Sequence, residues 1–213
     1  MTKIFFLLIL IMGCGVGAME EKLEIVNVEN PLYKSVLTTS AKEVTFPLSE
    51  EIQQFIGLLK DKTIEVNAAG LAAPQVNKPL RIIAIQVTEE ARKWRDDVEY
   101  LLPLTVLINP SYEIINLDRR TLDWEGCFSV TSEFGKTWRA THIRYQGFDE
   151  EGNFVEGQAN GFLARLLQHE IDHLNGKLCK EKYPEGGFYG PFEKMREIRM
   201  KEIDDKNAKA GIS

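Results

Sequence analysis

The sequence predicts an α+β domain: mixed or antiparallel strands around one central helix, with a second helix before them and a third at the C-terminal end. Three observations predict it. Leu80 to Val87 is a short isoleucine-rich run of strand length. Ile143 to Phe148 and Phe154 to Ala159 flank Asp149 to Asn153, a turn signal, as the arms of a hairpin do. Asn160 to Asn175 instead follows helical periodicity and runs into Gly176, a natural helix stop. Strands that precede one central helix give an α+β order.

Taken along the chain, 19–47 reads as an irregular arm punctuated by Pro31 and Pro47. Ser49 is an N-cap with Glu50 and Glu51 in the first turn, where the helix dipole favours acids. Ile52, Phe55, Ile56 and Leu59 then fall at i, i+3, i+4 and i+7, an amphipathic helix. Gly70 to Gln75 breaks that period and reads as a loop or strand entry. Leu104 to Asn109 and Tyr112 to Asn116 read as two strands joined at Asn109 and Pro110. A last helix is expected from Pro191 to about Lys206.

With 213 residues, 44% hydrophobic and 27% charged, the chain has the make-up of one ordinary globular domain, placed at 19–213. A net charge of -6 argues against a nucleic-acid binder, which needs clustered Lys and Arg. The basic run Lys194 to Lys201 passes straight into Glu202, Asp204 and Asp205, so it reads as the solvated side of a helix. Residues 1–18 stand apart. Lys3 precedes an apolar run from Ile4 to Met12 that is too short to span a bilayer but matches a signal-peptide core. Cys14 sits in a loose lipoprotein cleavage box, and Val16, Gly17 and Ala18 suit ordinary signal cleavage. Otherwise, Met19 is the true start and the segment a mis-assigned extension.

The chemistry concentrates in Gln168-His-Glu-Ile-Asp-His173, which holds two of the chain's three histidines. Helical residues advance about 100° each, so Phe162, Leu166, His169 and His173 form one stripe, and both imidazoles continue an apolar face. Two imidazoles turned inward together call for a shared divalent metal. Glu170 sits one step round the cylinder, where a general base stands beside such an ion without binding it. A catalytic centre of this kind needs a third protein ligand and an open corner for water. Residue spacing leaves three candidates for it. His142 lies on a strand and is the weakest. Cys179 follows His173 by six residues behind Gly176, the spacing at which metzincin-type zinc endopeptidases place a third histidine. Cys127 stands in the polar, Gly-containing segment Trp124-Glu-Gly-Cys-Phe-Ser129, and a thiolate suits the softer divalent metals. Three cysteines form no disulfide framework.

Gly70-Leu-Ala-Ala-Pro-Gln75, Glu125-Gly-Cys-Phe-Ser129 and Gln168-His-Glu-Ile-Asp-His173 occur in that order, and together they resemble the three motifs of peptide deformylases over about residues 23 to 180. The resemblance selects Cys127, His169 and His173 as metal ligands and leaves Cys179 a small buried residue. It implies one divalent metal per chain, Fe2+ by family habit, with Zn2+, Ni2+ or Co2+ able to take the same ligands. It further implies Glu170 as the catalytic acid and base, with Gln75 and the Phe128 backbone N–H as oxyanion donors. Substrate is expected against Gly70 and Leu71, in a methionine pocket lined by Phe162 and Leu166. Glu125 and Arg139 match a buried ion pair that steadies the cysteine segment. Ala68, Phe128 and Thr131 depart from the family's usual glycine, leucine and proline. The implied reaction is hydrolytic removal of the N-formyl group from the N-terminal methionine of peptides and nascent proteins, with release of formate. The implied partner is an N-formylmethionyl peptide, met at the ribosome if the protein is cytoplasmic. If residues 1–18 export the chain, free formyl peptides take its place. The competing readings are an endopeptidase that uses Glu170 with Cys179 as third ligand, and an exported metal-binding module without chemistry.

Overall fold

The computed structural model describes residues 22–210; the signal-like residues 1–18, with Cys14, lie outside them. In chain order the elements are helix α1 Pro31–Thr38, helix α2 Glu50–Glu65, strand β1 Gly70–Ala72, a 3-10 turn Ala73–Val76 and strand β2 Ile82–Val87. Then come the short helix α3 Ala91–Trp94 and strands β3 Leu102–Ile114, β4 Arg120–Cys127, β5 Val130–Ala140, β6 His142–Phe148 and β7 Phe154–Asn160. The chain ends with helix α4 Gly161–Leu174, a 3-10 turn Cys179–Lys182, strand β8 Tyr189–Pro191 and helix α5 Phe192–Ala210. Among the described residues no helix is long and apolar enough to cross a membrane.

Two sheets hold the strands, one ordered β1-β2-β3-β6-β7 and one ordered β4-β5-β8. Every ladder in both is antiparallel, the latter half of the "mixed or antiparallel" expectation. Lys42 and Leu80 add one isolated parallel bridge. β2 is apolar along its whole length because both its faces are covered. Ile83, Ile85 and Val87 pack with Leu107, Ile143, Leu163, Leu167 and Ile171, towards α4. Ile82 and Ala84 pack with Phe55, Ile56 and Leu59, towards α2. A strand buried on both sides loses the alternation that marks a half-buried one. α2 begins where its caps predict, and the Ser49 hydroxyl accepts from the Ile52 N–H at 3.4 Å.

Three expectations are corrected. The arm 19–47 contains α1. Asn30 caps that helix by accepting the Leu32 N–H at 3.1 Å, and Pro31 sits in its first turn, where proline is favourable rather than disruptive. The two strands joined at Asn109 and Pro110 are one strand, β3, with an irregularity between Ile108 and Ser111. Asn109 takes a φ of 51° there, and its side-chain amide bonds both backbone groups of Val44, at 2.9 and 2.8 Å. Asparagine tolerates that left-handed backbone better than most residues. Third, the polar segment before the hairpin is itself a hairpin, β4–β5, turning at Phe128 and Ser129.

That hairpin escapes sequence reading because its pattern is inverted. Glu125, Thr137 and Arg139 point inward and are buried, while Leu122 and Trp138 on the other face are exposed. The inward polar groups meet α4, whose residues from Leu163 to Leu174 are all buried. Gly176 ends that helix with a φ of 67°, and a Cβ there would meet the Thr38 and Thr39 backbone at 2.7 Å. Only glycine fits both demands.

Candidate metal centre

His169 and His173 project from one face of α4 with their rings edge to face, centroids 4.9 Å apart. Their Nε2 atoms lie 3.2 Å apart, and Cys127 Sγ lies 3.2 Å from His173 Nε2. All three donor atoms fall within 4.8 Å of one another. β4 delivers the thiol. Its register with β5 slips between Glu125 and Cys127, and such an irregularity turns a side chain out of ladder phase. Donors on a tetrahedral cation with bonds of about 2.0–2.3 Å stand roughly 3.3–3.7 Å apart. The constellation therefore fits one small divalent ion. Burial raises the Cys127 thiol well above its ordinary range and drives His173 well below its own. A shared cation is what would make a buried thiolate and two buried imidazoles compatible.

Behind the donors lies a network that the sequence disclosed only in part. Glu125 Oε1 is 2.7 Å from His169 Nδ1, which leaves Nε2 to face the shared site. Arg139 bonds Glu125 through Nε at 2.9 Å and through a second nitrogen, so the expected pair exists. It is also larger than expected. Arg139 pairs with Asp172 too, and Asp172 meets Lys182 at 3.0 Å. Thr137 donates to Glu125 at 2.7 Å, and Arg165 reaches it at 3.1 Å. Burial alone would raise the Glu125 carboxyl, but hydrogen bonds from Arg139 and His169 hold it well below the carboxylate range. Burial likewise opposes charge on His169, yet the bonded Glu125 raises that imidazole to about 9.

Removing one member of a buried charged network leaves its partner unpaired, at a cost of about 3–5 kcal/mol. Arg139→Met is therefore expected to lower Tm by roughly 10 °C, at a few degrees per kcal/mol for a chain of this length. A thermal melt within a degree or two of the parent would mean that Arg165 and Thr137 suffice to hold Glu125.

Glu170 faces the same space and is 2% exposed. Burial pushes its carboxyl up to about 7, and its Oε2 has no hydrogen-bond partner among the described residues. Gly70, the first residue of β1, packs directly on it; a Cβ at that position would lie 2.7 Å from the Glu170 carboxyl carbon. Gln75 is buried in the 3-10 turn, where its Oε1 accepts the Ala72 N–H at 2.8 Å. That bond aims its Nε2 towards Cys127 Sγ, 3.6 Å away. Phe128 lies at the hairpin turn beside Cys127 and is 46% exposed. Ser129 N–H donates to Cys127 Sγ at 3.4 Å, a contact the sequence did not suggest. A cavity of about 200 Å³ joins Gly70, Gln75, Cys127, Phe128, His169 and Glu170 with Phe162 and Leu166.

Other expected residues are placed differently. The Leu71 side chain is 0% exposed and packs with Phe55, Ile56 and Val76, so it does not line that cavity. Ala68 lines a neighbouring cavity of about 210 Å³, and its methyl does not narrow the one beside Glu170. Cys179 is buried with Val26, Leu37 and Val130 and is outside the converging donor set. His142 begins β6 and is likewise outside it. Arg95 and Arg165 complete the cavity wall and went unnoticed in the sequence. Arg95 stacks over the Phe162 ring at 5.1 Å and bonds Asp97, Asp123 and the Trp124 carbonyl, which neutralises its charge. Arg165 lies one turn from Phe162, beside the histidine stripe, and could have been suspected as a buried charge that needs Glu125.

The family model described as "Polypeptide deformylase" matches residues 22–186. A protein of Rickettsia conorii called peptide deformylase 2 is 42% identical over 173 residues, covering 80% of this chain and 85% of that protein. A peptide deformylase of Cellvibrio japonicus is 36% identical over 176 residues, 83% of this chain and 92% of its own. Among solved structures, a class I type b peptide deformylase from Acinetobacter baumannii with Met-Ala-Ser bound superposes with a TM-score of 0.65. It is 29% identical and covers 77% of this chain and 99% of that one. The peptide deformylase of Thermotoga maritima gives a TM-score of 0.63 at 28% identity, covering 76% of this chain and 98% of its own.

Proposed function

Because this chain belongs to the polypeptide deformylase family, whose enzymes hydrolyse the N-formyl group from N-terminal methionine, we propose that Cys127, His169 and His173 hold its single catalytic metal, with Glu170, Gln75 and Phe128 as the groups that act on the formyl amide. The ion is ferrous iron in this reading, although one thiolate and two imidazoles also suit Zn2+, Ni2+ or Co2+. When bound, it would acidify a coordinated water and polarise the formyl carbonyl.

The residues supply the rest. Glu170 Oε2, buried and unpartnered among the described residues, takes a proton from the attacking water as its oxygen bonds the formyl carbon. A carboxyl raised to about 7 by burial is suited both to accept that proton and to give it back. The Gln75 amide, fixed by Ala72, and the Phe128 N–H donate to the oxygen on which negative charge collects. Preorganised donors of this kind contribute about 3 kcal/mol each. Glu170 then protonates the leaving nitrogen as the C–N bond breaks, releasing formate and a free methionine amine. The methionine side chain occupies the cavity of Phe162 and Leu166, and Gly70 offers its backbone to the peptide. The Leu71 contribution is limited to backbone. The observation that carries the reading is the orphaned Glu170 oxygen beside three converging donors.

Full-length protein loaded with Fe2+ or Ni2+ under low oxygen is expected to release formate from formyl-Met-Ala and to leave an internal peptide bond intact. Cleavage of the internal bond without formate would favour the endopeptidase instead. In this reading the substrates are nascent chains, met at the ribosome in the cytoplasm. The mature N-terminus is then expected near Met19 without lipid, which N-terminal sequencing checks; a lipid on Cys14 would point to free formyl peptides outside.

A further inference from the structure

The extended arm ahead of α1 bonds both of the loops that carry the oxyanion donors. The Val26 N–H donates to the Gln75 carbonyl at 2.8 Å, and the Val28 N–H donates to the Ser129 carbonyl at 3.0 Å. Extended chain has a period of two, so groups at i and i+2 point to the same side and one short edge reaches both loops. Those loops belong to different sheets. Gln75 follows β1, the edge strand of the five-stranded sheet, whereas Phe128 and Ser129 form the turn between β4 and β5 of the three-stranded one. Among the described residues no backbone hydrogen bond joins the two loops to each other. Side chains of the arm hold the same place: Val26 and Val28 are buried with Val130, the residue after the turn. Glu29 adds a third tie, accepting from the Ser132 hydroxyl at 2.6 Å and from the Ser132 N–H at 3.3 Å.

We propose that this arm is a positioning element for the reaction: through its Val26 and Val28 N–H groups it sets the spacing between the Gln75 amide and the Phe128 N–H. The inference rests on the deformylase reading above, in which those two groups receive the charge of the formyl oxygen. Stabilising a developing charge depends on donors already in place, and a displacement of about 1 Å can cost on the order of 10²-fold in rate. Two donors carried by separate sheets keep whatever relative motion the sheets have. A tie from one strand to the backbone of each loop removes that motion at the donors themselves. No residue of the arm lines the cavity that holds Glu170, so the arm acts only through the loops. Loss of the ties is therefore read in kcat, the parameter that falls when an interaction made in the transition state is weakened.

The test is formate release from formyl-Met-Ala by the metal-loaded full chain, with metal content and Tm measured beside it. Val28 is the first central residue of a turn closed by the Asn30 N–H on the Asn27 carbonyl at 3.3 Å. Proline suits that position, so Val28→Pro removes the bond to Ser129 and keeps the turn. It is expected to lower kcat about tenfold, with KM and metal content within about twofold of the parent. Val26→Pro is expected to cost about tenfold in the parent but less than about twofold in Gln75→Ala, because a residue that acts through Gln75 then has nothing left to position. Gln75→Ala alone is expected to lose about 10²-fold. If the proline variants do not fold, Glu29→Ala, a change at an exposed position, is expected to lower kcat by roughly threefold with metal content unchanged. Parental kcat in the folded variants, or a loss of metal or a rise in KM in place of the fall in kcat, would overturn the positioning role and leave the deformylase intact. So would a full tenfold loss from Val26→Pro in Gln75→Ala. Parental kcat in Gln75→Ala would overturn the oxyanion assignment and this inference with it, and no formate from the parent would overturn the deformylase reading itself.

Discussion

Cys127→Ser is expected to strip the metal from the protein, whereas Cys179→Ser keeps about one ion per chain. Both cysteines follow plausible ligand spacings, but only Cys127 Sγ converges with the two Nε2 atoms. A serine hydroxyl at 127 would not ionise in a buried site where even the thiol is pushed far up, so it would offer a poor neutral donor. Loss of a positioning partner alone costs about 10–100-fold in metal affinity, and loss of a direct ligand is expected to exceed that. Cys179 lies in the small apolar cluster of Val26, Leu37 and Val130, and its exchange for serine is a modest packing change. Metal analysis after gel filtration, beside formate release, distinguishes the two. Retained metal in Cys127→Ser with loss in Cys179→Ser would exchange the ligand assignment and revive the endopeptidase.

Glu170→Gln is expected to lower kcat by about 10³-fold, within the range for a positioned acid and base, with metal content unchanged. The substitution keeps the shape of the side chain and does not touch His169 or His173. It also removes a carboxyl that burial already disfavours when charged and whose Oε2 has no partner among the described residues. Its Tm is therefore expected to hold or rise, so lost activity cannot be traced to unfolding. Turnover within tenfold of the parent would remove Glu170 from the mechanism.

The histidine helix was legible because everything it needs is local. The 3.6-residue period puts His169 and His173 on one face, and Glu170 falls beside them wherever the helix lies. β2 and α2 were legible for the same reason, since their apolar patterns match the elements that cover them. Leu71 shows the limit of such reading: adjacency to Gly70 says nothing about which way a side chain points, and the strand alternation buries it on the far face.

What the sequence by itself determined is the set of chemical groups: two imidazoles and a carboxylate on a helix, a thiol in a glycine-containing turn and an amide after a proline. Residue spacing left open which thiol meets the imidazoles; the motif resemblance selected Cys127, and the tertiary structure brings Cys127 Sγ together with the two imidazoles while Cys179 stays outside that set. Tertiary structure alone decided the inward polar face of β4–β5, where Arg165 and Asp172 join Glu125 and Arg139. A buried charge is tolerable only beside its counter-charge. These partners are separated by between fourteen and forty-odd residues, a distance over which hydrophobic periodicity carries no information.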